Sequence, residues 1–262
     1  MGRPDIYIGL ERHEGDFLSR IGELSPDGVI IGHPFCDILS GRYGEYELPS
    51  IAAGAKSLGL KVVYQTPVYV TSRNFDRLLA LVRYLVENNV VDHLLVHDPG
   101  VITSLPEGDY ETVWDQFGYS RGYPTTDVPF SKGTLDFWAG RGIDKFLFTF
   151  DTLKILDKKN WKPGYPGVML LSSRLPASFS RICYSMYLTG GQCCNGSACK
   201  DEVVIGRNGE PDYYVNGYSL EQAVKLPRTI PKKIISSIGS VYIKARDIDD
   251  AKDLKSRLGK MK

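Results

Sequence analysis

Of the five cysteines in this 262-residue chain, four fall between Cys183 and Cys199. The string reads Ser180-Arg181-Ile182-Cys183, then Cys193-Cys194-Asn195-Gly196-Ser197-Ala198-Cys199, with Gly190, Gly191 and Gly196 permitting tight backbone turns. Thiolates are costly to bury without a partner, so such a group implies a metal, redox chemistry or a reactive nucleophile. The fifth, Cys36, follows an early apolar run in Gly32-His33-Pro34-Phe35-Cys36. Zinc sites usually draw on two closely spaced C-x2-4-C pairs, and only Cys194 and Cys199 come near that spacing. One distant ligand with three from a loop suits an iron–sulfur cluster better than zinc. Against this stand two plainer readings: Cys36 as a small apolar core residue, and a Cys183–Cys199 disulfide, disfavoured in a chain expected to be cytoplasmic.

Other polar residues fall where strands are expected to end. His33 and His97 occur as Gly32-His33-Pro34 and Val96-His97-Asp98-Pro99-Gly100, and Asp98 either orients His97 or simply starts a turn. Asp151 and Arg174 follow later apolar runs, and Arg174 and Arg181 are candidates for gripping a carboxylate or phosphate, or for salt bridges. Tyr64 and Tyr69 alternate with valines as in a core strand. No G-x-x-x-x-G-K, H-E-x-x-H or G-x-S-x-G motif is present, so proteolysis finds no nucleophile or zincin signature.

The elements that must position these residues follow from the pattern of apolar runs. Ile6 to Leu10, Gly28 to Gly32, Lys61 to Tyr69, His93 to His97, Lys145 to Phe150 and Gly167 to Leu171 read as buried strands. Amphipathic stretches such as Phe17 to Leu24, Leu48 to Leu58 and Phe75 to Asn88 lie between several of them. The alternation predicts parallel β/α units in a TIM-like (β/α) barrel, incomplete or distorted where Leu105 to Lys132 loses regular pattern. A hairpin turning at Asn208-Gly209, a helix over Leu220 to Val224, a strand over Ser240 to Lys244 and a final helix from Ile248 complete a single domain over residues 1–262. The appended elements begin at about residue 203. With 42% hydrophobic and 24% charged residues the chain is of ordinary globular composition, and a net charge of +1 does not favour a polyanionic partner. The terminal run Lys252, Lys255, Arg257, Lys260 and Lys262 reads as a solvated helix face. No apolar run is long enough to span a membrane and the N-terminus has no signal-like stretch, so a cytoplasmic location is expected.

On these cysteines the chain resembles peptidase family U32, and within it the iron–sulfur members that act in oxygen-independent hydroxylation during anaerobic ubiquinone biosynthesis. The likeness is carried by Gly32 to Cys36, by Arg181 to Cys183 after Leu175-Pro176-Ala177-Ser178-Phe179-Ser180, and by Cys194 with Cys199. It runs on through Tyr213-Tyr214-Val215-Asn216-Gly217. The resemblance implies a barrel, a [4Fe-4S] cluster, and Cys36, Cys183, Cys194 and Cys199 as its ligands, with Cys193 as an alternative to Cys194. It also implies hydroxylation of a small aromatic molecule or an RNA base, together with a second U32 family protein in a hetero-oligomer. Two features depart from the family pattern: Cys194 to Cys199 is Cys-x4-Cys rather than Cys-x3-Cys, and the chain is shorter. A zinc-braced, non-catalytic interaction subunit is the competing expectation.

Overall fold

The computed structural model describes residues 3–11, 16–34, 36, 42–43, 46–68, 70–115, 132–158, 164–179, 203–207, 210–216, 219–224 and 226–259. In chain order its elements are β1 (Asp5–Leu10), α1 (Phe17–Gly22), β2 (Gly28–Ile31), β3 (Arg42–Tyr43), β4 (Tyr46–Glu47), α2 (Leu48–Ser57), β5 (Lys61–Gln65) and α3 (Ser72–Glu87). There follow β6 (His93–Val96), α4 (Pro99–Ile102), β7 (Glu111–Trp114), α5 (Lys132–Ala139), β8 (Lys145–Thr149), α6 (Phe150–Lys158) and β9 (Gly167–Ser172). The last are β10 (Arg174–Phe179), β11 (Val203–Arg207), β12 (Glu210–Asn216), β13 (Ser219–Ala223), α7 (Lys232–Ile235), β14 (Ser240–Ala245) and α8 (Ile248–Ser256).

Eight strands close into a parallel barrel in the order β1-β14-β9-β8-β7-β6-β5-β2, with β2 pairing back to β1. Side chains alternate along each strand. One set, including Ile6, Ile8, Val29, Ile31, Val62, Tyr64, Leu94, Val96, Phe146 and Phe148, packs outward against the helices in the larger core. The other points inward: Tyr7, Ile30, Val63, Leu95, Val113, Leu147, Val168, Leu170 and Tyr242 fill the barrel. The helices bury one stripe each, as α3 does with Leu78, Val82, Leu85 and Val86, each contributing about 1.5–3 kcal/mol relative to exposure.

β7 and β14 complete the eight, and β7 lies within the stretch whose sequence pattern is weakest. Its interior residue Val113 and exterior residue Trp114 are both buried, and β7 pairs with β6 and β8. Residues 116–131 lie outside the described residues. The expected helix over Leu220 to Val224 is instead strand β13, which pairs antiparallel with both β10 and β12. The expected hairpin is present as β11 and β12, with Arg207 opposite Glu210.

β10 to β13 form a four-stranded antiparallel sheet inserted between β9 and α7. It is rooted at the C-terminal end of the barrel. Arg174 starts β10 two residues after β9 ends, its backbone N–H donates to Ser172 Oγ at 3.3 Å, and Val224 N–H donates to the Ser173 carbonyl at 2.8 Å. Leu175 and Val224 pack against the inner core.

Candidate functional site

Strand alternation dictates what stands at the C-terminal mouth. Two residues beyond each inward apolar side chain lies the next inward position, which gives Gly9, Gly32, Gln65, His97, Asp115, Thr149, Ser172 and Lys244 as the uppermost layer. Gly32 is required there: its φ is +110°, and a Cβ would lie 2.3 Å from the Gln65 carbonyl oxygen.

At the centre of this layer His97, 2% exposed, places Nε2 3.0 Å from Asp115 Oδ2 and 3.2 Å from the Gln65 side-chain amide. Its backbone N–H is 3.3 Å from Thr66 Oγ1. Burial lowers the His97 pKa against the opposing pull of the Asp115 carboxylate, so the ring is neutral near pH 7. A neutral ring beside a carboxylate carries its proton on Nε2 and donates it to Asp115. Nδ1 is then an acceptor, and among the described residues it has no hydrogen-bond partner. This is the arrangement of a general base oriented by a carboxylate.

Lys244 joins it from β14. Burial pulls its amine down to about 8, although Asp115, Glu11 and Glu221 favour the charged form. Arg174 and Glu221, the first on β10 and the second on β13, are both buried at the base of the inserted sheet. Two cations thus meet three carboxylates around one opening, a composition suited to a neutral polar substrate rather than a polyanion.

Parallel β strands closed into a ring, with α-helices outside and the polar residues at the carboxyl ends, define a known architecture. The fold is a TIM barrel. A mutant tryptophan synthase alpha-subunit from Pyrococcus furiosus is similar over 99% of this chain and 100% of its own, at 10% identity and a TM-score of 0.52. Orotidine 5'-phosphate decarboxylase from Lactobacillus acidophilus is similar over 97% of this chain and 95% of its own, at 12% identity and a TM-score of 0.47. Identities this low speak of fold alone. No protein-family model and no curated protein matches the chain. In TIM barrels the C-terminal mouth is where active sites assemble, and the histidine, aspartate and lysine of this chain stand there.

The residues singled out from sequence fall unevenly around the mouth. Cys36, five residues beyond the end of β2, is 5% exposed at the same end of the barrel. His33, three residues before it, has its Nδ1 enclosed without a hydrogen-bond partner among the described residues, and burial lowers its pKa to about 4. Asp98 does not orient His97: its carboxylate accepts from Gly100 N–H at 2.7 Å and caps α4, the turn role. Asp151 is an exposed residue in the first turn of α6. Tyr64 is buried in the outer core. Arg181, Cys183, Cys193, Cys194, Cys199 and Tyr69 lie outside the described residues. Among the described residues no cluster of three or more histidines, cysteines or carboxylates is arranged to hold a metal ion, and no helix is long and apolar enough to cross a membrane.

Asp115 and Lys244 were not apparent from the sequence. The available signal was an acid directly after Val113-Trp114 and a lysine ending Val241-Tyr242-Ile243, each a polar residue continuing the inward phase of a short apolar run.

A second buried polar cluster occupies the N-terminal end of the barrel. His93 Nδ1 is 2.7 Å from the Tyr242 hydroxyl, and its Nε2 is 3.0 Å from Glu111 Oε2. Lys145 pairs with the same carboxylate, and Lys61 pairs with Asp5 at 2.8 Å. In TIM barrels this end reads as structural, and the cluster closes the floor of the barrel.

Proposed function

We propose that this protein is an iron–sulfur enzyme, or an enzyme subunit, for oxygen-independent hydroxylation of an aromatic or nucleobase ring, in the manner of the U32 proteins its cysteines resemble. The observation that carries the reading is the position of Cys36: a buried thiol at the mouth that also holds His97, Asp115 and Lys244. Cys36, Cys183, Cys194 and Cys199 would hold a [4Fe-4S] cluster, with Cys193 as the alternative to Cys194.

Two features of the chain support this ligand set. β10 and β11, which flank the segment bearing the other four cysteines, belong to the sheet rooted at the same mouth. The six residues of β10 span about 20 Å when extended, enough to carry the chain from the β9 wall toward the opposite side of the barrel. Bound there, the cluster would supply one-electron redox chemistry. The chain's own residues bind and orient: His97 accepts a proton at Nδ1, Asp115 fixes the ring, and Gln65, Ser172 and Thr149 offer hydrogen bonds to a substrate. A second U32-like protein as partner and a cytoplasmic location belong to the same reading.

A zinc-braced interaction module would not need a buried, carboxylate-oriented histidine in an inward-facing layer, so the enzyme reading is preferred. The test is anaerobic purification followed by iron, sulfide and zinc analysis and a visible spectrum, for the native chain and for Cys183→Ala. About four irons and four sulfides per chain, lost in the variant, is the expected result. Zinc alone, or no metal, would return the chain to the interaction-module reading.

A further inference from the structure

Lys244 has no part in the redox reading, yet it is the costliest residue at the mouth to keep charged. It faces inward two positions beyond Tyr242 on β14, opposite Gly9 on one side and Ser172 on the other. Among the described residues no carboxylate forms an ion pair with its amine; Asp115, Glu11 and Glu221 act on it only through longer-range charge. A buried ammonium without a counter-ion is expensive, and lysines in such settings are those that exchange protons or attack carbonyl groups. The charge of Lys244 in turn helps to hold His97 neutral, which makes the two groups electrostatic neighbours. His97 Nδ1 is an enclosed acceptor with no partner among the described residues.

We propose that Lys244 is the nucleophile of a carbonyl-binding site, forming a Schiff base with a small neutral aldehyde or ketone while the His97–Asp115 pair moves the protons. His97 Nδ1 takes a proton from the ammonium. The freed lone pair forms the C–N bond, the carbonyl π pair moves to oxygen, and a proton passes from nitrogen to that oxygen to give the carbinolamine. His97 then returns its proton to the hydroxyl, which leaves as water as the nitrogen lone pair forms C=N. In sum, ammonium and carbonyl give protonated imine and water, with no oxidant or reductant. The ligand is neutral because Asp115, Glu11 and Glu221 already outnumber Lys244 and Arg174 at the opening. This activity needs no cluster, and its test reads no metal.

The experiment treats the whole chain with propanal and sodium cyanoborohydride between about pH 6 and pH 10 and maps alkylated lysines by peptide mass spectrometry. Near neutral pH, Lys244 is expected to react about tenfold or more faster than surface lysines, because far more of it is unprotonated. Its rate levels off above about pH 8, where the rates of the others are still climbing. His97→Gln slows labelling of Lys244 severalfold and leaves surface lysines unchanged. An unlabelled Lys244, or one that reacts with the rate and pH profile of a surface lysine, overturns the proposal; the wild-type profile alone decides it should the variant fail to fold.

Discussion

An imidazole buried against a carboxylate has its proton placed for it, and His97 with Asp115 is such a pair. Nitrogen NMR of the histidines should therefore show His97 as the Nε2–H tautomer, uncharged at pH 6.5, whereas Asp115→Asn removes the negative acceptor and lets the other tautomer appear. An imidazolium signal for His97 at that pH would contradict this geometry. Lys244 gives an opposite kind of prediction. Replacing an inward, unpaired ammonium by a methionine of similar length removes a desolvation cost. Lys244→Met is expected to raise stability by about 1–2 kcal/mol, a few degrees in melting temperature, while abolishing the propanal reaction. At this scale the sequence was partly legible: Cys36 and His97 follow recognisable apolar runs and so could be assigned to a strand's carboxyl end. Asp98 drew attention because it adjoins His97, but adjacency in sequence sends neighbouring strand residues to opposite sides, and the true partner came from the next strand.

Elements bring such residues together, and Gly32 shows how tightly. With φ at +110° and the Gln65 carbonyl where its Cβ would be, the chain leaves β2 through a conformation that L side chains rarely adopt. Gly32→Ala is expected to cost more than about 2 kcal/mol in denaturant unfolding and to disturb Gln65 and the path to Cys36; a neutral effect would mean the turn is not fixed as described. The strands legible from sequence were those with four or more consecutive apolar or aromatic residues, such as Lys145–Thr149 and Gly167–Ser172. β7 escaped because it offers only Val113 and Trp114 as apolar residues, and its regularity comes from pairing with β6 and β8. β13 was misread for the converse reason: Leu220, Glu221, Gln222 and Ala223 are good helix formers, but ladders on both sides hold them extended.

For the whole molecule, the barrel is a shell of apolar packing with a polar group at each end, and both ends contain histidines held neutral. At the floor, burial lowers the pKa of His93 to about 4, below the roughly 6.5 of an unfolded chain. Between those values the unfolded state binds more protons, so stability rises with pH. The contribution is complete above about pH 6.5 and disappears as pH falls toward 4, on the order of 3 kcal/mol for His93. Thermal melting should accordingly fall steeply over that window, and His93→Gln should flatten the fall; a melting temperature constant from pH 6.5 to 4.5 would contradict it. The barrel itself was legible from alternating strand and helix patterns, whereas its closure depends on non-local pairing that periodicity does not carry. The central claim is that the redox centre and the polar mouth are one site, joined by Cys36. The most direct test is electron paramagnetic resonance and iron analysis of the anaerobically purified, reduced protein carrying Cys36→Ser. A cluster lost or spectrally altered in that variant is the predicted result; full iron content with an unchanged spectrum would show that Cys36 is core and that the two sites are separate.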